Sequence, residues 1–271
     1  MFNITPTILG ITSGTAAIAV FGVVTTIEGY TYTITTAING MFMPKISKAY
    51  AAKGENEHTL AEKLNPLFLN VGRFQYALNG LIIVGFAAVG RYFMDLWMGV
   101  GYADAYVGIL LVIIPGLFFN ALQIANTTLI VRKKVKLQAI VNIIVGVTNI
   151  VLSFILSYFI GIIGSCISIF VAYMLRALIM NIITKNVLKF ELKDFAIKCY
   201  LRMGAAIILS LVLSLVITSF IPNNGWLMLL CEGIIVFGVY LIMIYCIGIT
   251  KAERRIAVAI FKKKIFRRNE Q

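Results

Sequence analysis

A single carboxylate, Glu28, lies in the middle of an otherwise uncharged apolar stretch that runs from Ala16 to Met43. A charge at the centre of a bilayer costs at least about 2.5 kcal/mol, so a carboxylate there must face protein or water rather than lipid. The pattern predicts the lining of a polar path through a membrane; the alternative is a structural carboxylate hydrogen-bonded to a neighbouring helix. Polar residues recur around it at steps of three or four and would share one helix face: Thr25, Glu28, Tyr32, Thr35 (or Thr36) and Asn39.

Positive charge inside another apolar stretch comes from Arg176, which precedes Lys185 by about nine residues, or about 13 Å of helix. An arginine at this depth has three uses in a membrane helix. Its head group snorkels to the interface, pairs with a carboxylate such as Glu28, or binds an anionic ligand. The sequence leaves these three interpretations open.

Two polar residues, Asn120 and Gln123, follow a Pro115-Gly116 pair in a third apolar stretch. Proline removes a backbone hydrogen bond and kinks a helix. Broken helices with nearby polar side chains are common in secondary transporters, although membrane helices also carry proline for structural reasons. Asn120 and Gln123 are therefore candidate cavity residues.

The sequence contains no pattern that indicates an enzyme, a cofactor or a metal site. A Gly-rich phosphate loop, an H-E-x-x-H pair and a G-x-S-x-G elbow are all absent. The single histidine, His58, lies in a polar segment, and the four cysteines are scattered without a C-x-x-C pair. We expect a protein that is not an enzyme and needs no cofactor or metal.

The composition is that of an integral membrane protein. Of its 271 residues, 60% are hydrophobic and 13% are charged, whereas soluble domains carry about 25% charged residues. The formal net charge of +13 does not indicate a nucleic-acid partner, because nearly all lysines and arginines lie between the apolar stretches. Stretches of about 20 apolar residues predict an all-α polytopic bundle of about seven transmembrane spans: Ala16–Met43, Phe74–Trp97, Ala105–Val131, Leu137–Ile160, Ile162–Ile183, Met203–Ile221 and Trp226–Ile249.

Charge in the connecting segments predicts the orientation. Every second connection is basic, and the alternate ones hold no basic residue apart from Arg91 near the end of a span. The basic connections and the C-terminus are therefore expected to be cytoplasmic, with Trp97 and Trp226 at the outer interface. Residues 56–69 are expected to form a cytoplasmic loop with a short amphipathic helix. The tail, residues 251–268, suits either a helix on the inner leaflet or a plain topology anchor.

Several motifs resemble the C-terminal half of bacterial polysaccharide flippases, the O-antigen and capsule repeat-unit transporters of the multidrug/oligosaccharidyl-lipid/polysaccharide exporter superfamily. The resemblance covers most of the chain and becomes more diffuse after Lys185. It depends on the order and spacing of the following segments: Ile8-Leu9-Gly10, Ala19-Val20-Phe21-Gly22, Gly40-Met41-Phe42-Met43-Pro44-Lys45-Ile46-Ser47, Gly72-Arg73-Phe74-Gln75, Leu96-Trp97-Met98-Gly99, Asn149-Ile150-Val151-Leu152-Ser153 and Gly161-Ile162-Ile163-Gly164.

The resemblance implies two six-helix lobes that form a V around a central cavity and alternate in access. This chain would supply one lobe with a truncated first helix (residues 1–185), an additional helix pair (186–249) and a basic cytoplasmic tail (250–271). The implied cargo is an undecaprenyl-pyrophosphate-linked oligosaccharide, flipped across the bacterial inner membrane. The implied partners are this cargo, membrane lipids, a missing N-terminal lobe, and polysaccharide polymerase or assembly proteins.

On this mapping the helix with Glu28 faces the cavity, and Arg176 or Arg73 meets phosphate. Arg73, at the cytoplasmic mouth, is equally suited to anchoring its own helix. Two other functions stay open: an ion-coupled multidrug exporter in which Glu28 binds a cation, and a non-transporting membrane scaffold of a polysaccharide-assembly complex. The quoted motifs and the basic cytoplasmic face favour the flippase.

Overall fold

The computed structural model describes residues 4–51, 57–222 and 225–249. All regular elements in these ranges are helical, which confirms the predicted all-α fold class. The predicted tail, residues 250–271, lies outside the described residues. The α-helices in chain order are α1 (Thr5–Thr12), α2 (Thr15–Ala51), α3 (Glu57–Trp97), α4 (Ala103–Ile113), α5 (Gly116–Ala121), α6 (Gln123–Val131), α7 (Val135–Asn186), α8 (Leu192–Phe195), α9 (Arg202–Ser219) and α10 (Gly225–Met243).

Among the described residues, six helical segments are long and apolar enough to cross a membrane. One of them, α7, has 52 residues and would measure about 78 Å if it were straight, more than twice the thickness of the hydrocarbon core. Its backbone leaves helical geometry at Gly161, where φ is 61° and ψ is −136°. Gly161 separates the predicted spans Leu137–Ile160 and Ile162–Ile183, and its positive φ, which glycine adopts without strain, makes a tight turn between them.

Contacts across α7 show that it folds back on itself at that turn. Ser153 and Ser165 hydroxyls lie 3.0 Å apart, and Ser168 donates to Asn149 Oδ1 at 3.0 Å. Residues twelve apart in a straight helix are separated by about 18 Å. At Gly164, an added Cβ would lie 2.2 Å from the Leu156 carbonyl oxygen, so only glycine permits this approach. The helix is therefore a hairpin of two antiparallel legs, which correspond to two of the predicted spans.

The predicted span Ala105–Val131 is not one kinked helix but three short ones. The first break lies at Ile114 and Pro115, as proline predicts, and Pro115 precedes α5. The second break is at Leu122, which the sequence did not indicate. Because Asn120 ends up on the short α5 and Gln123 begins α6, these two side chains belong to different helices.

The described part of residues 56–69, predicted as a loop with a short amphipathic helix, is entirely helical and continuous with the following span. Residues 57–97 form the single helix α3. Apolar residues at helical spacing, including Leu64, Phe68 and Val71, are buried and extend the packing surface of the span. The Phe68 ring stacks on Phe190 at 4.8 Å and on Phe195 at 4.6 Å between ring centroids, which holds this extension against the connection after α7.

The helices α9 and α10 pack against α3. Tyr240 of α10 donates its hydroxyl to the Ala77 carbonyl, and Ile207 of α9 fills the space above Gly80. Each of α9 and α10 adjoins a π-helical segment, Ala196–Leu201 before α9 and Ile244–Gly248 after α10. The core is one continuous apolar cluster. Glu28 of α2 lies where α4, α5 and the second leg of α7 approach α2.

Candidate functional site in the middle of the bundle

The Glu28 carboxylate on α2 is half-buried and has a partner on the second leg of α7. Tyr173 donates its hydroxyl to Glu28 Oε1 at 3.2 Å. This contact joins α2 to α7 through two residues that are 145 positions apart in the sequence. The carboxylate therefore combines features of both interpretations, because it bonds to a neighbouring helix and also lines a cavity.

Arg176 lies one turn after Tyr173 on the same helix, and its guanidinium stacks on an aromatic ring. The guanidinium carbon is 4.0 Å from the centroid of the Phe119 ring, well within the range of a cation–π interaction. Phe119 in turn stacks on Tyr173, with ring centroids 6.1 Å apart and an interplanar angle of 12°. Of the three uses that the sequence left open for Arg176, pairing with Glu28 was one; in the structure the Tyr173 hydroxyl bonds to that carboxylate, and the Arg176 guanidinium lies on the Phe119 ring.

Glu28, Phe119 and Tyr173 line a small cavity between α2, α4, α5 and α7. Its volume is about 10 Å³, which is close to the space that one buried water needs. Its lining contains the polar residues Glu28, Thr31, Tyr32, Asn120 and Tyr173 and the apolar residues Val112, Ile113 and Phe119, with Gly116. We call Glu28, Phe119, Asn120, Tyr173 and Arg176 the mid-bundle site.

A network of buried amides continues from Asn120 into the contact between α2 and α3. Asn120 donates through Nδ2 to Asn79 Oδ1 at 2.9 Å, and Asn79 Nδ2 lies 3.4 Å from Thr35 Oγ1. In the same layer Gln75 donates through Nε2 to Asn39 Oδ1 at 2.7 Å. All five side chains are less than 10% exposed. Side-chain hydrogen bonds thus join α2, α3 and α5 inside the apolar bundle. Because each buried amide needs its partner at the correct distance and angle, these bonds fix how the three helices pack.

Two acceptors of this network have no hydrogen-bond partner among the described residues. They are Gln75 Oε1 and Asn120 Oδ1. Buried polar atoms are nearly always satisfied, by ordered water if protein supplies no donor. The network therefore has capacity for additional donors, such as water or the hydroxyl groups of a ligand.

The structure divides the predicted polar stripe of α2. Glu28 and Tyr32 line the cavity, although Tyr32 is 43% exposed. Thr35 and Asn39 turn instead into the buried amide network. Thr25 is half-buried and donates only to carbonyls of its own helix, at Phe21 and Gly22. The five side chains therefore do not share one surface: steps of three and four residues place them about 60° and 40° to either side of a common line, and different helices approach them.

The remaining candidates lie apart from the cavity. Gln123 is buried and accepts a hydrogen bond from Asn126 at 3.1 Å. Arg73 is 7% exposed and donates through Nη2 to the Gly248 carbonyl at 2.9 Å, at the end of the last helix. This contact joins α3 to the end of the last helix.

Sequence reasoning missed three residues that the fold brings to the site. Tyr173 and Phe119 are the direct neighbours of Glu28 and Arg176, and Asn79 connects Asn120 to Thr35. A signal was available for two of them: Tyr173 precedes Arg176 by three residues, and Asn79 follows Gln75 by four, so each pair shares a helix face. Phe119 had no such signal, since an aromatic residue in an apolar span is ordinary.

A metal centre is not indicated in the described ranges, where no group of three or more histidine, cysteine, aspartate or glutamate side chains is close enough to hold an ion. The site offers one carboxylate, hydroxyl and amide groups, and one guanidinium. Carboxylates, amides and phenols exchange hydrogen bonds with sugar hydroxyls, while guanidinium matches phosphate. The arrangement is suited to recognition of a polar ligand.

No protein-family model matches the chain, and no curated protein sequence matches it. Among solved structures it is similar to one titled "Lipid II flippase MurJ, inward closed conformation", with a TM-score of 0.69 and 17% sequence identity. The match covers 89% of this chain and 50% of that chain, so this chain spans about half the length of the neighbour. This likeness shows the fold: the chain is a membrane-embedded helical bundle built like half of a flippase.

Proposed function

We propose that this chain takes part in flipping a lipid-linked oligosaccharide across the bacterial cytoplasmic membrane, with its C-terminus on the cytoplasmic side. The observation that carries the proposal is the mid-bundle site, where Glu28 and Arg176, both half-buried, lie beside the buried Tyr173 and Phe119 within helices of membrane length. Ionisable groups at such depth are costly and are kept mainly on substrate or ion pathways. The fold similarity to half of a lipid II flippase supports the same conclusion.

The chemistry of the site fits a cargo that carries both sugar and phosphate. A lipid-linked sugar head cannot cross hydrocarbon bare, because each unsatisfied polar group costs several kcal/mol there. Glu28, Tyr32 and Asn120 offer acceptors and donors for hydroxyl groups around the cavity. Arg176, held on Phe119, offers positive charge for phosphate.

The size of the cavity indicates that the lobe does not enclose the cargo alone. A volume of about 10 Å³ admits one water, not a sugar. We propose that the cargo space forms between this chain and a second lobe, and that polysaccharide polymerase or assembly proteins act with it. The exposed polar groups of α2, including Tyr32, would then face that space.

A multidrug exporter is a weaker candidate. A lipophilic cation would be attracted by Glu28 and by the rings of Phe119 and Tyr173. The Arg176 guanidinium already occupies a face of the Phe119 ring, and its positive charge opposes a second cation nearby.

The test is a Glu28→Gln substitution at the chromosomal locus, so that any other lobe or partner is present. We expect surface polysaccharide to fall at least about tenfold, which corresponds to a loss of about 1.4 kcal/mol, while the membrane abundance of the protein stays unchanged. The matched control is Glu232→Gln, since Glu232 is a second buried glutamate in a spanning helix, outside the site. Polysaccharide would be measured by immunoblot and abundance by quantitative mass spectrometry.

Unchanged polysaccharide in Glu28→Gln would contradict the proposal. An equal loss in Glu232→Gln would also contradict it, because the effect would then follow from removal of any membrane carboxylate. Increased sensitivity to lipophilic cations with normal polysaccharide would favour the multidrug exporter.

A further inference from the structure

Three basic segments that are far apart in the sequence meet at one end of the bundle. They are the end of α2 (residues 45–51), the connection from α6 to α7 (132–136) and the end of α7 with the residues after it (185–189). Arg132 joins them, since its Nη1 donates to the Val187 carbonyl at 3.0 Å and its guanidinium carbon lies 5.8 Å from the centroid of the Tyr50 ring. Because α7 is a hairpin, its start and its end lie at the same membrane interface, and α2 ends there as well.

The charge of these three segments is of one sign. They contain lysines and an arginine but no aspartate or glutamate. Six of the lysines are exposed, and the described part of the chain supplies no side-chain partner for any of them: Lys45, Lys48, Lys133, Lys136, Lys185 and Lys189. We call these six residues the lysine cluster. Ammonium groups gathered without carboxylates create a positive potential that attracts an anion from outside the protein.

The next basic segment of the chain, residues 191–202, differs from the lysine cluster in this respect. It contains carboxylates as well as lysines, and the first of them, Glu191, lies two residues beyond Lys189. Lys198 is paired with Asp194 one turn before it. A lysine that is paired in this way has little charge left to offer an external anion. Lys198 is therefore a natural reference for the lysine cluster.

Two members of the lysine cluster have a backbone conformation that usually selects glycine. The angle φ is 56° at Lys133 and 59° at Lys189, and no other residue apart from glycine has a positive φ in the described ranges. Lys133 comes directly after Arg132, the C-cap of α6, and Lys189 comes two residues after Val187, the C-cap of α7. Glycine is common at such helix ends because a Cβ is strained there. A long charged side chain at both strained positions indicates that the side chain itself has a role.

We propose that the lysine cluster binds the phosphate groups of anionic phospholipids. The cluster lies at the ends of helices of membrane length, which is the level of the lipid head groups. Groups of about four to eight basic residues beside a membrane helix attract anionic lipids, and each lysine adds to the attraction. A lysine ammonium on its flexible stem donates up to three hydrogen bonds, so it can follow a mobile head group. The surface is separate from the mid-bundle site and does not depend on the function proposed for it.

The positive φ values allow a test in which lipid binding and stability change in opposite directions. Lys133→Gly and Lys189→Gly each remove one charge and also relieve a strained backbone. We expect the apparent affinity for phosphatidylglycerol to fall about fivefold in each variant, while the unfolding temperature stays the same or rises. The purified full chain in detergent would be titrated with phosphatidylglycerol and followed by native mass spectrometry, and unfolding would be followed by circular dichroism.

Two control variants separate the lysine cluster from basic charge in general. Lys198→Gln removes a lysine that is already paired with Asp194, so the affinity for phosphatidylglycerol should stay unchanged. Lys133→Arg keeps the charge and should also keep the affinity. Phosphatidylethanolamine, which has no net charge, should bind at least about tenfold more weakly than phosphatidylglycerol, and added salt should reduce this difference. The basic residues 250–271 are the same in every variant, so they do not affect the comparison.

Four results would overturn the proposal. Unchanged affinity in both glycine variants would place the lipid elsewhere. Equal affinity for phosphatidylethanolamine would show that the cluster does not recognise net charge. A lower unfolding temperature in both glycine variants, together with an equal loss of affinity in Lys198→Gln, would assign the lysines to the scaffold. Displacement of phosphatidylglycerol by an equal concentration of inorganic pyrophosphate would assign the cluster to a soluble anion.

Discussion

Two regions of this molecule use buried arginines in opposite ways. In the mid-bundle site, Arg176 lies over the face of the Phe119 ring, which itself lines the small cavity. At the end of the last helix, Arg73 binds the Gly248 carbonyl and Arg202 binds those of Ile247 and Ile249; we call these two arginines and three carbonyls the terminal clamp. The same residue type is therefore part of a candidate ligand site in one region and part of the scaffold in the other.

The difference follows from the backbone around each arginine. The last carbonyls of a helix have no intrahelical partner and carry the negative end of the helix dipole, so they attract a guanidinium. In the middle of α7 every carbonyl is already used by the helix. Arg176 must therefore obtain its interactions from side chains such as Phe119, or from a ligand. The presence or absence of a neighbouring helix end beside the arginine therefore decides which use it has.

The largest effect on stability is expected in the terminal clamp. Arg202→Gln removes two hydrogen bonds from a charged donor and leaves the Ile247 and Ile249 carbonyls without it, a cost of about 2–3 kcal/mol. Arg176→Gln is the matched variant and should cost about 1 kcal/mol, the worth of a cation–π contact. Unfolding of both variants in detergent, followed by circular dichroism, gives the comparison. Equal losses would show that the two arginines have the same role.

An intermediate effect is expected where the amide network joins the mid-bundle site to α3. Asn79→Leu removes the partner of Asn120 and of Thr35, at a cost of about 1–3 kcal/mol for the orphaned groups. Gly85→Leu, on the same helix with open space around it, is a suitable control for the added volume. A variant as stable as the unmodified protein would indicate that water replaces the Asn79 amide.

The smallest effect on stability is expected at Tyr173. Tyr173→Phe removes only the hydrogen bond to Glu28 and keeps the ring that stacks on Phe119, so the loss should be about 0.5–1.5 kcal/mol. If the site handles cargo, polysaccharide output should fall by more than this small loss accounts for. If polysaccharide output in Tyr173→Phe and Asn79→Leu falls only in proportion to the loss of stability of each variant, the mid-bundle site has a structural role and does not bind cargo.

Much of the fold could be predicted from the chain because hydropathy acts locally. Apolar stretches of membrane length predicted the helices, and Gly161 between two of them predicted the turn of the α7 hairpin. The continuity of α3 was missed, because its first four turns are polar on one side and become a packing surface only when Phe190 and Phe195 lie against Phe68. The break at Leu122 was missed because no proline or glycine marks it.

The candidate site was predicted only in part, for a similar reason. Glu28, Tyr32, Asn120 and Arg176 stood out because polar groups in apolar stretches are expensive wherever they occur. Their partners did not stand out, since Tyr173 and Phe119 are favourable in a membrane helix with or without a ligand. Thr35 and Asn39 were assigned to the same lining as Glu28, but α3 approaches that face of α2 and takes them into the amide network.

The sequence by itself therefore determined that this protein is a bundle of membrane helices with a few costly polar groups inside it. That follows from transfer free energies, which depend on residue type and stretch length alone. Only the tertiary structure decided what each polar group meets: a phenol for Glu28, an aromatic ring for Arg176, and helix-end carbonyls for Arg73. Such contacts depend on which helices become neighbours, and no local pattern in the chain specifies that choice.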